Sequence, residues 1–149
     1  MGFVLPAVIV VILDQVTKQF FWHLGRNFDV IDGFFRVTLV RNSGAAFGML
    51  QDGRGFLIVM SVLASILIIF VVQRLPAEQL ARRVFLGMIL GGALGNLIDR
   101  IYPGQVIDFI DMGIPAYRWP VYNIADSAVT IGGVLLILSV SRSRDGGEE

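Results

Sequence analysis

The chain contains no cysteine, which excludes disulfides, a thiol nucleophile and any thiolate metal site. His23 is the one histidine, so a histidine-based zinc site or a Ser-His-Asp triad would have to rest on a single residue, and no metal or cofactor is expected. Net charge is absent as well: twelve basic residues balance twelve acidic ones, which speaks against a nucleic-acid partner or a polybasic lipid anchor. The first apolar run lacks a basic leader and carries Asp14 and Lys18, so it reads as a retained span and not as a cleaved signal peptide. No internal repeat is present.

What remains is hydrophobic. Apolar residues make up 55% of the 149 positions and charged ones only 16%, and the mean hydropathy of +0.73 lies outside the usual balance of a soluble domain. Gly55 to Gln73 runs without a charge, close to the roughly 20 residues that cross a hydrocarbon core about 30 Å thick. Similar runs predict spans over about 2–22, 55–74, 84–101 and 120–140, one membrane domain over 1–141, and a disordered cytoplasmic tail over 142–149. Arg74, Arg82 and Arg83 crowd the connection between the second and third runs, and Arg142 and Arg144 follow the fourth. The positive-inside rule places these segments, and both termini, in the cytoplasm.

The first outer loop, His23 to Arg54, has internal pattern. Phe35, Val37 and Leu39 alternate with Arg36 and Thr38 after an Asp32-Gly33 turn signal, which predicts a small strand or hairpin over 34–41. The second outer loop, Tyr102 to Trp119, is rich in proline and glycine and is expected to be irregular, with a short helix or strand around Val106 to Asp111.

Polar residues inside the runs need a reason, because a charge at the bilayer centre costs roughly 2.5–3.5 kcal/mol on insertion scales. In "DQVTK", Asp14 and Lys18 stand four apart on one helix face, and mutual neutralisation alone would explain them. Gly87, Gly91 and Gly95 make consecutive G-x-x-x-G steps, a helix-packing pattern. Asn96, Asp99 and Arg100 share a polar face one turn on, and Asn123 and Asp126 repeat the three-residue spacing at the start of the fourth run. Interhelical hydrogen bonding explains the asparagines but not unpaired acids. Asp108 in "VIDFI" and Asp126 in "NIADSA" have no basic residue within seven positions. Two acids brought together in apolar surroundings cannot both ionise, and a shared proton gives one general acid and one general base. Arg100, adjacent to Asp99, would tend to keep that acid ionised. By spacing alone the order is Asp126, Asp108, Asp99, Asp111, with Asp111 read as a loop residue and Asp99 as the rival of Asp108.

Taken together, "DQVTK" (14–18), "RNSGAAFG" (41–48), "GGALGNLIDR" (91–100), "VIDFID" (106–111) and "YNIADSA" (122–128) resemble, in order and separation, the lipoprotein signal peptidases, or signal peptidase II. Tyr122 stands where that family commonly has phenylalanine. The resemblance implies an all-α membrane protein of four transmembrane helices with a small extracytoplasmic β-cradle and a second, helical extracytoplasmic loop. It implies an aspartic endopeptidase of the bacterial inner membrane, cutting diacylglyceryl-modified prolipoproteins on the N-terminal side of the lipidated cysteine. The catalytic pair then falls on Asp108 and Asp126. Asp14, Lys18, Asn42, Gly44, Asn96, Asp99, Arg100 and Asn123 fall at supporting or substrate-binding positions, with Asn42 and Arg100 expected to touch substrate. The expected partners are the lipidated prolipoprotein and membrane lipids, with a monomeric enzyme. Ser43 and Ser127 lack an assigned base and are read as structural. The competing readings are a small proton-coupled transporter using Asp14, Lys18, Asp99 and Asp126 as a relay, and a catalytically dead lipoprotein-binding module.

Overall fold

The computed structural model describes residues 2–44 and 53–145. Among them are the helices α1 (Val4–Leu24), α2 (Arg54–Arg74), α3 (Leu80–Ile101) and α4 (Ile124–Asp145) and the strands β1 (Phe28–Ile31), β2 (Phe35–Asn42), β3 (Val106–Ile114) and β4 (Tyr117–Arg118). All four helices are long and apolar enough to cross a membrane. Much of α1, α2 and α4, like Leu5, Phe56, Leu67 and Ile137, is exposed on the helix surface, as lipid-facing residues must be.

Helix ends depart from the apolar runs for local reasons. α1 stops at Gly25, whose left-handed φ of 63° lets its N–H bond the Phe21 carbonyl. α3 starts early enough to include Arg82 and Arg83, because their guanidinium groups have helix carbonyls to bond: Ser139 of α4 for Arg82, Val72 and Leu75 at the end of α2 for Arg83. α4 starts later than Pro120. Tyr122 is drawn into an isolated bridge with Ile110, and Asn123 caps the helix. At its other end α4 runs on to Asp145, into the segment read as a tail, while 146–149 lie outside the described residues.

α3 is the hub, packed against α1, α2 and α4. Its glycines make this possible. A Cβ on Gly91 would sit 2.6 Å from the Ala7 carbonyl oxygen of α1, and one on Gly95 2.6 Å from Asp14 Oδ2, while Gly87 abuts the Phe3 main chain and Gly92 the Ala125 carbonyl. The stripe thus brings α1 close and places the start of α4 against the same stretch of α3.

The four strands form one antiparallel sheet in the order β1-β2-β3-β4. The alternating segment is β2 as predicted. The second outer loop carries a strand where a short helix or strand was expected around Val106 to Asp111, and differs from the helical loop the resemblance implies: residues 102–119 hold β3 and β4 and no helix. Val106, Ile107, Phe109 and Ile110 favour an extended, buried strand, and β3 is covered on both faces. Asp111 is accordingly not a loop residue. It is buried in β3, accepting from Arg118 Nε at 2.7 Å and from Thr38 Oγ1 at 2.9 Å. The register sets Val40 opposite Asp108 and Asn42 opposite Val106, which carries Asn42 to the start of β3.

Candidate active site

The buried charges of α1 are held first. Lys18, 1% exposed, lies 2.7 Å from Asp14 Oδ2, 2.6 Å from Asp99 Oδ2 and 3.0 Å from Asn96 Oδ1. The neutralising pair read from "DQVTK" is therefore a triad. Asp99 takes its close positive partner from α1, and among the described residues no ion pair joins Arg100 to a carboxylate; Arg100 acts on Asp99 only through space. Helical geometry explains this: adjacent residues point away from each other. Asp14 has a second task. Its Oδ1 accepts the Ala125 N–H at 2.9 Å, putting a carboxylate at the positive end of α4.

At that helix start, Asn123 Oδ1 accepts the Asp126 N–H at 2.9 Å while Asp126 Oδ2 accepts the Asn123 N–H at 3.2 Å. This reciprocal capping box fixes Asp126 by its own backbone. Asp126 Oδ1 accepts from Asn96 Nδ2 at 2.7 Å. Across from it, Asp108 Oδ1 accepts from Asn123 Nδ2 at 2.7 Å, and Oδ2 from Asn42 Nδ2 at 2.9 Å. Asn42 is held in turn by the Gly44 N–H on its Oδ1, at 2.9 Å. One residue, Asn123, thus binds both carboxylates.

Asp108, Asp126, Asn42, Asn96 and Arg100 line one cleft of about 940 Å³, whose walls reach Ser61 of α2 and Val129 of α4. Burial pushes the Asp108 carboxyl up from 3.8 to about 6; the Asn42 and Asn123 donors and the Lys18 charge pull against this, and the negative charge of Asp126 adds to it. Arg100 donates to the main-chain oxygens of Asn96 and Gly44, both at 3.3 Å, with Asp126, Asp108 and Asp99 within electrostatic reach. Its guanidinium charge therefore stands at the cleft wall beside acids it does not directly bond.

All ten residues singled out from the sequence thus belong to one connected region. Gln15 was passed over: its Nε2 reaches Asp14 Oδ2, the Gly95 carbonyl and Asp99 Oδ1, tying α1 to α3 inside the triad. Its signal was a polar side chain within the first span, between the two charges already noted. Of "RNSGAAFG", residues 45–48 lie outside the described residues. Among the described residues no cluster of histidines and acids suited to a metal ion occurs.

Residues 6–142 match the family model described as signal peptidase (SPase) II. The chain belongs to the signal peptidase II family. The lipoprotein signal peptidase of Syntrophus aciditrophicus (strain SB) is 42% identical over 147 residues, covering 93% of this chain and 91% of that one. That of Staphylococcus aureus (strain JH9) is 38% identical over 149 residues, covering 98% and 91%. A bacterial membrane enzyme solved by the in meso method at 2.3 Å resolution aligns with a TM-score of 0.91 at 37% identity, over 99% of this chain and 92% of that one. The peptidase is therefore a hydrolase of aspartic type, a multi-pass membrane protein that cleaves lipoprotein signal peptides. The transporter reading is not favoured by this family membership.

Proposed function

We propose that the peptidase cuts diacylglyceryl-modified prolipoproteins on the N-terminal side of the lipidated cysteine, using a water held between Asp108 and Asp126. The observation that carries this reading is the bridge through Asn123, which binds both carboxylates at one cleft. A buried acid with its proton affinity raised, next to a second carboxylate, supplies a proton donor and a proton acceptor in one site. Asp126 takes the proton of the attacking water, and Asp108 delivers its proton to the leaving amide nitrogen. No covalent intermediate is required.

In this reading the sheet and the cleft mouth lie at the outer face of the bacterial inner membrane, with both termini and the tail cytoplasmic. The scissile peptide lies extended along the cleft, and the lipid chains stay in the bilayer. Asn42 and Arg100 contact the substrate, while Asp14, Lys18, Gly44, Asn96, Asp99 and Asn123 support the site. The enzyme works as a monomer without cofactor.

Asp108→Asn and Asp126→Asn, assayed separately on a lipidated precursor, are each expected to lower kcat by about 100-fold or more, the range of a positioned acid or base. Near-wild-type turnover in either variant removes the two-aspartate mechanism.

A further inference from the structure

Three asparagine side chains surround the two carboxylates, and an amide has a donor end and an acceptor end, so something must decide which end each presents. For Asn42 the decision is made by the Gly44 N–H on its oxygen, and for Asn123 by the Asp126 N–H on its oxygen. Both residues are thereby turned with their NH2 groups towards Asp108. Asn96 has no backbone group on its oxygen. Its Oδ1 faces Lys18 Nζ at 3.0 Å and Asn123 Nδ2 at 3.1 Å, and both of these groups only donate.

Rotating the Asn96 amide would set its NH2 against an ammonium and another NH2, two donor-donor contacts in a buried place. The ammonium cannot turn away from this task. It donates to Asp14 and Asn96 and forms an ion pair with Asp99, and the side chain is sealed from water. With its oxygen so committed, Asn96 has only N–H to offer Asp126, which it does at 2.7 Å.

We infer that Lys18, acting through Asn96, is a positioning residue for Asp126: by holding the Asn96 oxygen it fixes an N–H donor against Asp126 Oδ1, so that this oxygen is held as an acceptor. The inference rests on the two-aspartate reading and deepens it. Under it, "DQVTK" is more than a charge-neutralising device, because the end of the Asn96 amide that faces Asp126 depends on Lys18 being a pure donor. Each carboxylate then accepts two N–H donors at its two oxygens, and the asymmetry between them comes from the burial of Asp108 and from the capping box of Asp126.

Asn96→Asp tests this directly. The introduced carboxylate keeps the shape of the side chain and still accepts from Lys18 and Asn123, so interhelical bonding survives, but it presents an oxygen to Asp126 where an N–H was. On a lipidated precursor, kcat is expected to fall by about 100-fold or more with KM within about threefold. Part of the activity is expected to return at lower pH, where a protonated carboxyl at position 96 can donate to Asp126. The charged and titratable groups facing this point are Asp14 and Lys18 of α1, Asp99 and Arg100 of α3 and Asp108 of β3; all are retained in the variant. Lys18→Met is expected to share the kcat loss without the recovery at low pH.

A folded Asn96→Asp enzyme with kcat within about threefold of wild type, or a loss confined to KM, would overturn the inference. So would unfolding of that variant, since the contact would then serve the fold. If Asp126→Asn is itself active, the two-aspartate reading fails; if it is inactive while Asn96→Asp turns over normally, only the positioning role of Lys18 fails.

Discussion

At the residue scale the site is a problem of keeping carboxylates buried without letting all of them behave alike. Asp14 and Asp99 share one ammonium, Asp111 has Arg118, and Asp108 is buried with amide donors alone bonded to its carboxylate. Its raised proton affinity is also a statement about stability. A folded-state value of about 6 against an ordinary 3.8 means that the folded chain holds this proton more tightly than the unfolded one. The resulting stability is fully present below 3.8 and is lost as pH rises through about 6, an effect of roughly 3 kcal/mol at most. Asp108→Asn has no such titration. Thermal or denaturant unfolding in detergent between pH 4 and 7 is expected to show the stability difference between variant and wild type moving in the variant's favour as pH rises. Parallel pH dependences for the two proteins would refute this.

At the element scale, the apolar helices and β2 could be read from the sequence, because long charge-free runs and a period of two are local signals. β3 was legible only as a short helix or strand, without a choice between the two, since a strand covered on both faces loses the alternation that betrays it. β1 is short and exposed along its length, and β4 is two residues. The glycine stripe was legible as packing, but which helix each glycine admits follows only from the fold. That distinction predicts opposite outcomes for one substitution. Gly91→Ala places a methyl 2.6 Å from the Ala7 carbonyl oxygen and 2.8 Å from Val10 Cβ, and is expected to cost about 1–3 kcal/mol as α1 and α3 are forced apart. Gly133→Ala, in α4, meets nothing within 4 Å and is expected to leave stability unchanged or slightly higher. Unfolding midpoints of the two variants in the same detergent check the pair, and equal shifts would count against the α1–α3 contact.

At the scale of the whole molecule the sequence named every acid of the site but not their pairing, because Lys18 and Asp99 meet only when α1 packs on α3, and Asp14 reaches Ala125 only when α4 starts beside both. The same assembly separates the two ends of the bundle. The sheet, the cleft and the start of α4 lie at one end of α3, and Arg74, Arg82 and Arg83 gather where α2 turns into α3 at the other. At the sheet end Arg36 is matched by Asp29 and Arg118 by Asp111, and Arg54 is bound to the last carbonyls of α3, so these arginines serve local structure. The positive-inside rule, applied to the remaining short connection, predicts the α2–α3 turn in the cytoplasm and the cleft end outside, the orientation proposed above. The lack of cysteine makes this directly measurable. Asp32→Cys lies in the exposed turn between β1 and β2, and Ala77→Cys in the exposed turn between α2 and α3. In intact spheroplasts a membrane-impermeant maleimide is expected to label the first and not the second, with both labelled after lysis. The reverse pattern would turn the molecule over and move the lipoprotein cleavage site to the cytoplasmic face.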